Sequence, residues 1–235
     1  MNHCRFFKVC FFILLTILLV LPNFSIGQHY FRMRADFSIK EKFNDGKMSL
    51  TMGTVYYDRT HKKLVYDIKF PEKETWVIVD TVFYKVRNNA VVLRQFIPML
   101  PSSTMFESAL ANNLDNFGLE NSFYKLQKVE KDADMVISTW IPDKRLSELM
   151  GKIVMSKKNN QLFGIAFYTI QNELLKKQIF KDYLKVSGIS FPKEITEILY
   201  KIGGKEMKVT TFKNLVVNEM KNESTYNFVI PAAKP

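Results

Sequence analysis

The sequence predicts a mainly β domain: a curved antiparallel sheet forming an incomplete barrel, with a few helices, one of them placed as a lid or plug. Three observations predict it. Apolar and polar residues alternate with period two through most of the chain. Turn-forming residues punctuate that alternation at short intervals. One stretch near the middle, residues 99–117, breaks the pattern and spaces its apolar residues as a helix does.

The elements follow in order. Residues 1–27 read as a secretion signal: Arg5 and Lys8 without an acid, an apolar run from Val9 to Leu21, then Pro22 and the small residues of Ser25-Ile26-Gly27 before a cleavage point near Gly27. The run is short for a membrane span, which needs roughly 20 apolar residues. Residues 28–235 read as a single domain. In its first strand Phe31, Met33, Ala35, Phe37 and Ile39 alternate with polar residues, and Asn44-Asp45-Gly46 turns the chain. Met48, Leu50, Met52, Thr54 and Tyr56 make the apolar face of the second strand. A polar turn from Asp58 to Lys63 leads to Leu64, Tyr66, Ile68 and Phe70, ending at Pro71. Trp76–Val79 and Val82–Val86 add two strands around Asp80-Thr81. Pro98 and Pro101 break the sheet, and Ser102 or Ser103 can cap a helix bearing Phe106, Leu110 and Leu114 on one face. Strands return at 122–130 and 134–141, a short helix fits 143–150, and strands follow at 152–157, 161–170, 177–186, 193–202 and 205–217. A last strand is expected from Tyr226 to Ile230.

An antiparallel sheet with one apolar face must cover that face. The stretch at 99–117 is the one substantial cover legible in the sequence, and a helix of about 14 residues is only ~21 Å long. It fills part of a concavity and leaves the rest to core side chains or to a ligand. The faces so read nominate Met48, Leu50, Met52, Tyr56, Tyr66, Ile68, Phe106 and Leu110 as residues lining a lipid-binding cavity. Methionines at Met33, Met48, Met52, Met135 and Met207 fall on these faces, and unbranched thioethers adapt either to core packing or to acyl chains.

Several chemistries are disfavoured. After the signal the chain holds no cysteine and only His29 and His61, so disulfides, thiolate zinc sites and cysteine nucleophiles are excluded and no metal site is expected. Neither Gly-x-Ser-x-Gly nor His-Glu-x-x-His occurs, and Asp132 with Asp134, or Asp143 near Glu148, read as solvated acids. The residues after the signal carry a net charge of +9, dispersed as Lys62-Lys63, Lys157-Lys158, Lys176-Lys177, Lys205 and Lys208. Dispersed lysines protect sheet edges and favour weak contact with an anionic membrane surface; no nucleic-acid motif accompanies them.

Gly53-Thr54-Val55-Tyr56-Tyr57-Asp58-Arg59, then Leu64-Val65-Tyr66 and Phe70-Pro71, resembles a hairpin of the LolA-like outer-membrane lipoprotein carriers. Trp76 to Tyr84, with Asp80 between its strands, occupies the next part of that pattern. Phe191-Pro192-Lys193-Glu194-Ile195, Thr210 to Asn218 and Phe228-Val229-Ile230-Pro231 resemble the family's tail. The resemblance implies an unclosed barrel with a helical lid, an apolar cavity, periplasmic location and no cofactor. It implies a chaperone that carries acylated lipoproteins from an inner-membrane transporter to an outer-membrane acceptor. It also implies that Arg59 hydrogen-bonds between barrel and lid and gates the cavity. The sequence departs in three places: no amphipathic helix precedes the first strand, Thr60 follows the arginine where proline is common, and the strands after residue 160 are longer and lysine-rich. An alternative reading is a lipid-sensing or structural subunit of a cell-envelope complex that never shuttles.

Overall fold

The computed structural model describes residues 30–97 and 103–232. The signal expected over residues 1–27, the breaks expected at Pro98 and Pro101 and the alternative cap at Ser102 fall outside the described residues, and Ser103 is the first helical residue.

Among the described residues thirteen strands form one sheet: β1 (Arg32–Lys42), β2 (Met48–Asp58), β3 (Lys63–Phe70), β4 (Glu74–Val79), β5 (Val82–Arg87), β6 (Ala90–Phe96), β7 (Tyr124–Asp132), β8 (Met135–Pro142), β9 (Ile153–Lys158), β10 (Gln161–Tyr168), β11 (Leu174–Val186), β12 (Ile189–Lys201) and β13 (Gly204–Val217). Their spatial order is β6-β5-β4-β3-β2-β1-β13-β12-β11-β10-β9-β8-β7, so β6 and β7 are free edges and the barrel is not closed. Every neighbouring pair is antiparallel, and the first strand lies beside the last. The segment that leaves β6 and returns at β7 carries helix α1 (Ser103–Leu110) and two single 3₁₀ turns, Leu114–Asn116 and Leu119–Asn121. A second short helix, α2 (Glu223–Tyr226), follows β13.

Tight turns hold the ribbon together. Asn88-Asn89, Asn159-Asn160 and Ser187-Gly188 each place two successive residues at positive φ, the primed turn geometry that matches strand twist. At Gly53 a side chain is sterically excluded: an added Cβ would lie 2.0 Å from the Asp67 carbonyl oxygen of β3.

Met33, Ala35, Phe37 and Ile39 of β1 face the core, as the alternation predicts. The β2 face is the reverse of the expected one. Val55 and Tyr57 join the main core, and Gly53 stands opposite Phe37. Met48, Leu50, Met52 and Tyr56 pair with Lys42, Lys40, Ser38 and Arg34, the outward side of β1. The cause is the β1–β2 loop, residues 43–47, closed by Gly46 N–H to the Phe43 carbonyl and Phe43 N–H to the Lys47 carbonyl. A one-residue change of register moves every side chain to the other face.

Three further expectations change. β6 was not expected, and it pairs with β5 through the Asn88-Asn89 turn. The region 143–150 holds only a 3₁₀ turn, Lys144–Leu146. Tyr226–Ile230 is not a strand: Tyr226 ends α2 and packs with Tyr56, Val65 and Val77 in a second small core on the convex side, flanked by Tyr84, Phe228 and Ile230. Arg32 fixes this strap. Its Nε donates to Asp58 Oδ2 at 2.7 Å, its two terminal nitrogens donate to the Glu223 carboxylate, and its guanidinium lies 4.7 Å from the Tyr226 ring centroid.

Candidate functional site

The concave face holds the site. Helix α1 lies against it and buries Met105, Phe106, Ala109 and Leu110. Phe106 is the central contact, with ring centroids 5.3 Å from Phe191, 5.7 Å from Phe212 and 5.8 Å from Tyr57. Fully burying such a side chain stabilises by roughly 1.5–3 kcal/mol. The helix is shorter than expected because Asn112 takes a positive φ just after it, and Phe117 and Gly118 are both left-handed. Leu114 still reaches the core from its 3₁₀ turn.

Beside the helix is a cavity of about 280 Å³. Its apolar wall includes Ile39, Tyr66, Trp76, Met105, Phe106 and Phe180. Ligand sites commonly enclose about 300–1,000 Å³, so the space suits one slender apolar chain while α1 is seated.

Of the residues the sequence nominated, Tyr66 and Phe106 line this cavity, and Ile68 and Leu110 are buried in the core around it. Met48 and Met52 are exposed, Leu50 is half-buried on their side of β2, and Tyr56 packs beneath Tyr226. None of these four lines the cavity, because of the β2 register. Of the methionines, Met207 is exposed, Met33 is core, and Met105 of α1 stands in the cavity wall.

Arg59 does reach the helix. Its Nε donates to Glu107 Oε1 of α1 at 3.0 Å, and Tyr57 Oη donates to Glu107 Oε2 at 2.6 Å. One carboxylate on the helix thus receives a turn arginine and a buried strand tyrosine. Burial pushes the Tyr57 phenol well above its ordinary range, and the bond to Glu107 raises it further. The phenol therefore stays protonated and donating. The sequence pointed to Arg59 but not to Tyr57 or Glu107. The Tyr57 signal was the alternation itself, had it been set in the correct register.

The cavity also has a polar floor that the sequence did not reveal. One row across four strands reads Glu41, Lys208, Glu197 and Gln178, from β1 through β13 and β12 to β11. Lys208 Nζ lies 2.6 Å from Glu197 Oε1, Gln178 Nε2 donates to Glu197 Oε2 at 2.8 Å, and Lys176 Nζ lies 3.6 Å from Glu197 Oε2. Lys176 also lies 4.8 Å from the Phe167 ring centroid. Burial draws the Lys176 ammonium below the ordinary lysine range; Glu197 resists this and Lys208 adds to it. Burial alone would raise the Glu197 carboxyl, but Lys208 and Lys176 outweigh it and hold the group below its usual value. Lys176 and Lys208 are therefore part of the cavity wall, not dispersed surface charge.

Among the described residues no cluster of three or more His, Cys, Asp or Glu could hold a metal ion, and no helix is long and apolar enough to cross a membrane.

No family model and no curated protein sequence matches the chain. Solved structures do match in shape. A LolA superfamily protein from Nitrosomonas europaea superposes with a TM-score of 0.56 at 14% identity, over 83% of this chain and 90% of its own. A DUF1329 family protein from Desulfovibrio piger gives 0.58 at 14% identity, over 85% and 90%. A domain described as an outer membrane lipoprotein-sorting protein, from Vibrio parahaemolyticus, gives 0.52 at 14% identity, over 85% and 91%. The class is therefore defined by architecture: the chain has the LolA-like fold, an antiparallel sheet left open as an incomplete barrel.

Proposed function

We propose that this protein is an exported, non-catalytic carrier or chaperone of the periplasm. It binds the acyl chains of lipoproteins or other lipids in its apolar cavity and moves them towards the outer membrane. An inner-membrane transporter as donor, an outer-membrane acceptor and weak contact with the membrane surface complete the reading. The observation that carries it is the aromatic cavity beneath a helix whose buried Phe106 can be exchanged for a ligand chain of like polarity. Replacing one apolar occupant by another leaves the helix's polar tie, Glu107 with Tyr57 and Arg59, as the contact that differs between seated and lifted states. Arg59 acts as part of this gate. Protein purified from a bacterial periplasm is expected to carry acyl-chain ligands in native mass spectrometry. Protein that is repeatedly empty and takes up no fluorescent lipid would count against the reading.

A second reading is a lipid-sensing or structural subunit held in an envelope complex. Exposed Val92, Leu93 and Phe96 on β6, and Leu126 and Val129 on β7, favour it, because they put apolar surface on both free edges of the sheet. Crosslinking in cells separates the two: a carrier traps acylated proteins transiently, whereas a subunit traps one partner at fixed stoichiometry.

A further inference from the structure

Of the two lysines on the polar floor of the cavity, Lys176 is the less well paired. Glu197 is shared by three donors, and its short contacts go to Lys208 and Gln178. Lys176 receives the long one, 3.6 Å, although its side chain is only 16% exposed. Its other close neighbour is the face of Phe167. A buried cation with so little compensation is costly unless an anion completes its shell. Lys176 lines the cavity, whose wall includes Phe180, Ile195 and Phe167 and whose polar floor also carries Glu41 and Thr210. An apolar chamber ending at an under-compensated ammonium has the polarity of an amphiphile with a charged head.

We propose that Lys176, supported by Lys208, is the headgroup subsite of the cavity and that it selects single-chain amphiphiles with an anionic head, a carboxylate or a phosphate. This rests on the carrier reading above and deepens it. The acyl chain lies along Phe180, Trp76 and Phe106, and the head takes the place beside Lys176 that Glu197 fills poorly. Glu197 acts as an internal competitor: it keeps the lysines apart from water and from each other when the head is elsewhere. The 280 Å³ volume limits the seated state to one chain.

The test uses the whole chain without its signal and follows Trp76 fluorescence on titration with myristate, with a myristoyl lysophosphatidate and with uncharged myristyl alcohol. The expected result is anionic probes binding about ten- to a hundred-fold tighter than the alcohol, the range of one hydrogen bond made to a charged group. Lys176→Met should remove that preference, so that the anions bind no tighter than the alcohol measured on the same variant. Glu197→Gln should change affinity in the opposite direction, tightening the anions, which a merely misfolded variant cannot do. A carboxylate preferred over the phosphate, or the reverse, identifies which head the subsite takes, and either supports it. Equal binding of all three probes, or a preference that survives Lys176→Met, overturns the subsite and leaves the carrier reading standing. Binding of none of them overturns both.

Discussion

Tyr57→Phe is expected to loosen helix α1 more than Arg59→Leu does, although the arginine is the more conspicuous residue in the sequence. Both side chains bond the same carboxylate, Glu107, at 2.6 and 3.0 Å. Their surroundings differ. The Tyr57 side chain is almost fully buried, whereas Arg59 and Glu107 are each about a third exposed. A hydrogen bond from a buried hydroxyl to a charged acceptor contributes roughly 1.5–3 kcal/mol net. An ion pair open to solvent contributes about 0.2–1 kcal/mol. The phenylalanine keeps the ring beside Phe106, so packing is preserved and only the bond is lost. The seated-to-lifted ratio should then fall about ten- to a hundred-fold in Tyr57→Phe, and no more than about fivefold in Arg59→Leu. Hydrogen exchange reads this directly, because an amide such as Ala111, bonded to the Glu107 carbonyl, exchanges through the lifted state. Amides of β1 serve as the internal control. Arg59→Leu accelerating exchange as much as Tyr57→Phe would refute the reasoning, as would no acceleration in either.

Three other outcomes are expected. Asp58 is buried, which alone would raise its carboxyl, but Arg32 and His61 hold it below the usual carboxylate range. Its contribution to stability is therefore full above the unfolded value near pH 4 and is lost as pH falls through the lower folded value. Asp58→Asn should flatten the acid limb of a Tm-versus-pH curve and cost about 3–5 kcal/mol at neutral pH by urea denaturation, since it breaks a buried pair. Gly53→Ala should destabilise by about 1–3 kcal/mol or more in the same assay, because the obstructing atom is backbone and cannot rotate away. Phe106→Ala should lower the stability of the empty protein by about 3–5 kcal/mol, yet take up more fluorescent fatty acid and regain part of its Tm on loading.

Much of the sheet was legible because period-two alternation is a local property. The inward face of β1 and most of β3 followed from it directly. The β2 face did not, because it depends on how many residues the β1–β2 loop consumes, and alternation within a strand is silent on that count. Thr54 and Tyr56 look core-like in either register; here Thr54 donates to Asp36 and Tyr56 serves the convex core. β6 had a readable signal in Asn88-Asn89, an asparagine pair suited to a primed turn, but its own residues alternate poorly, with Val91, Val92 and Leu93 in succession. Of the candidate site, Arg59 was visible through its motif, whereas Glu107 is an ordinary helix glutamate until the helix is placed. Lys176 was read as dispersed charge, just before a strand expected to begin at residue 177. The strand begins at Leu174, and Lys176 shares the inward parity of Gln178 and Phe180.

The adjacency of β1 and β13 bears on when the chain can fold. Met33 pairs with Val217, so the two halves of the sheet meet only through strands at opposite ends of the described sequence. Everything from β2 to β6 can zip by neighbouring hairpins, and so can β7 to β13, each with short loop closure. Joining them requires almost two hundred residues of intervening chain, a loop-closure cost that slows the final step. Until β13 has emerged, β1 presents an unpaired edge, and the concave face lacks Phe212 and the strand that carries Lys208. The concave interior is therefore finished only once β13 has paired with β1.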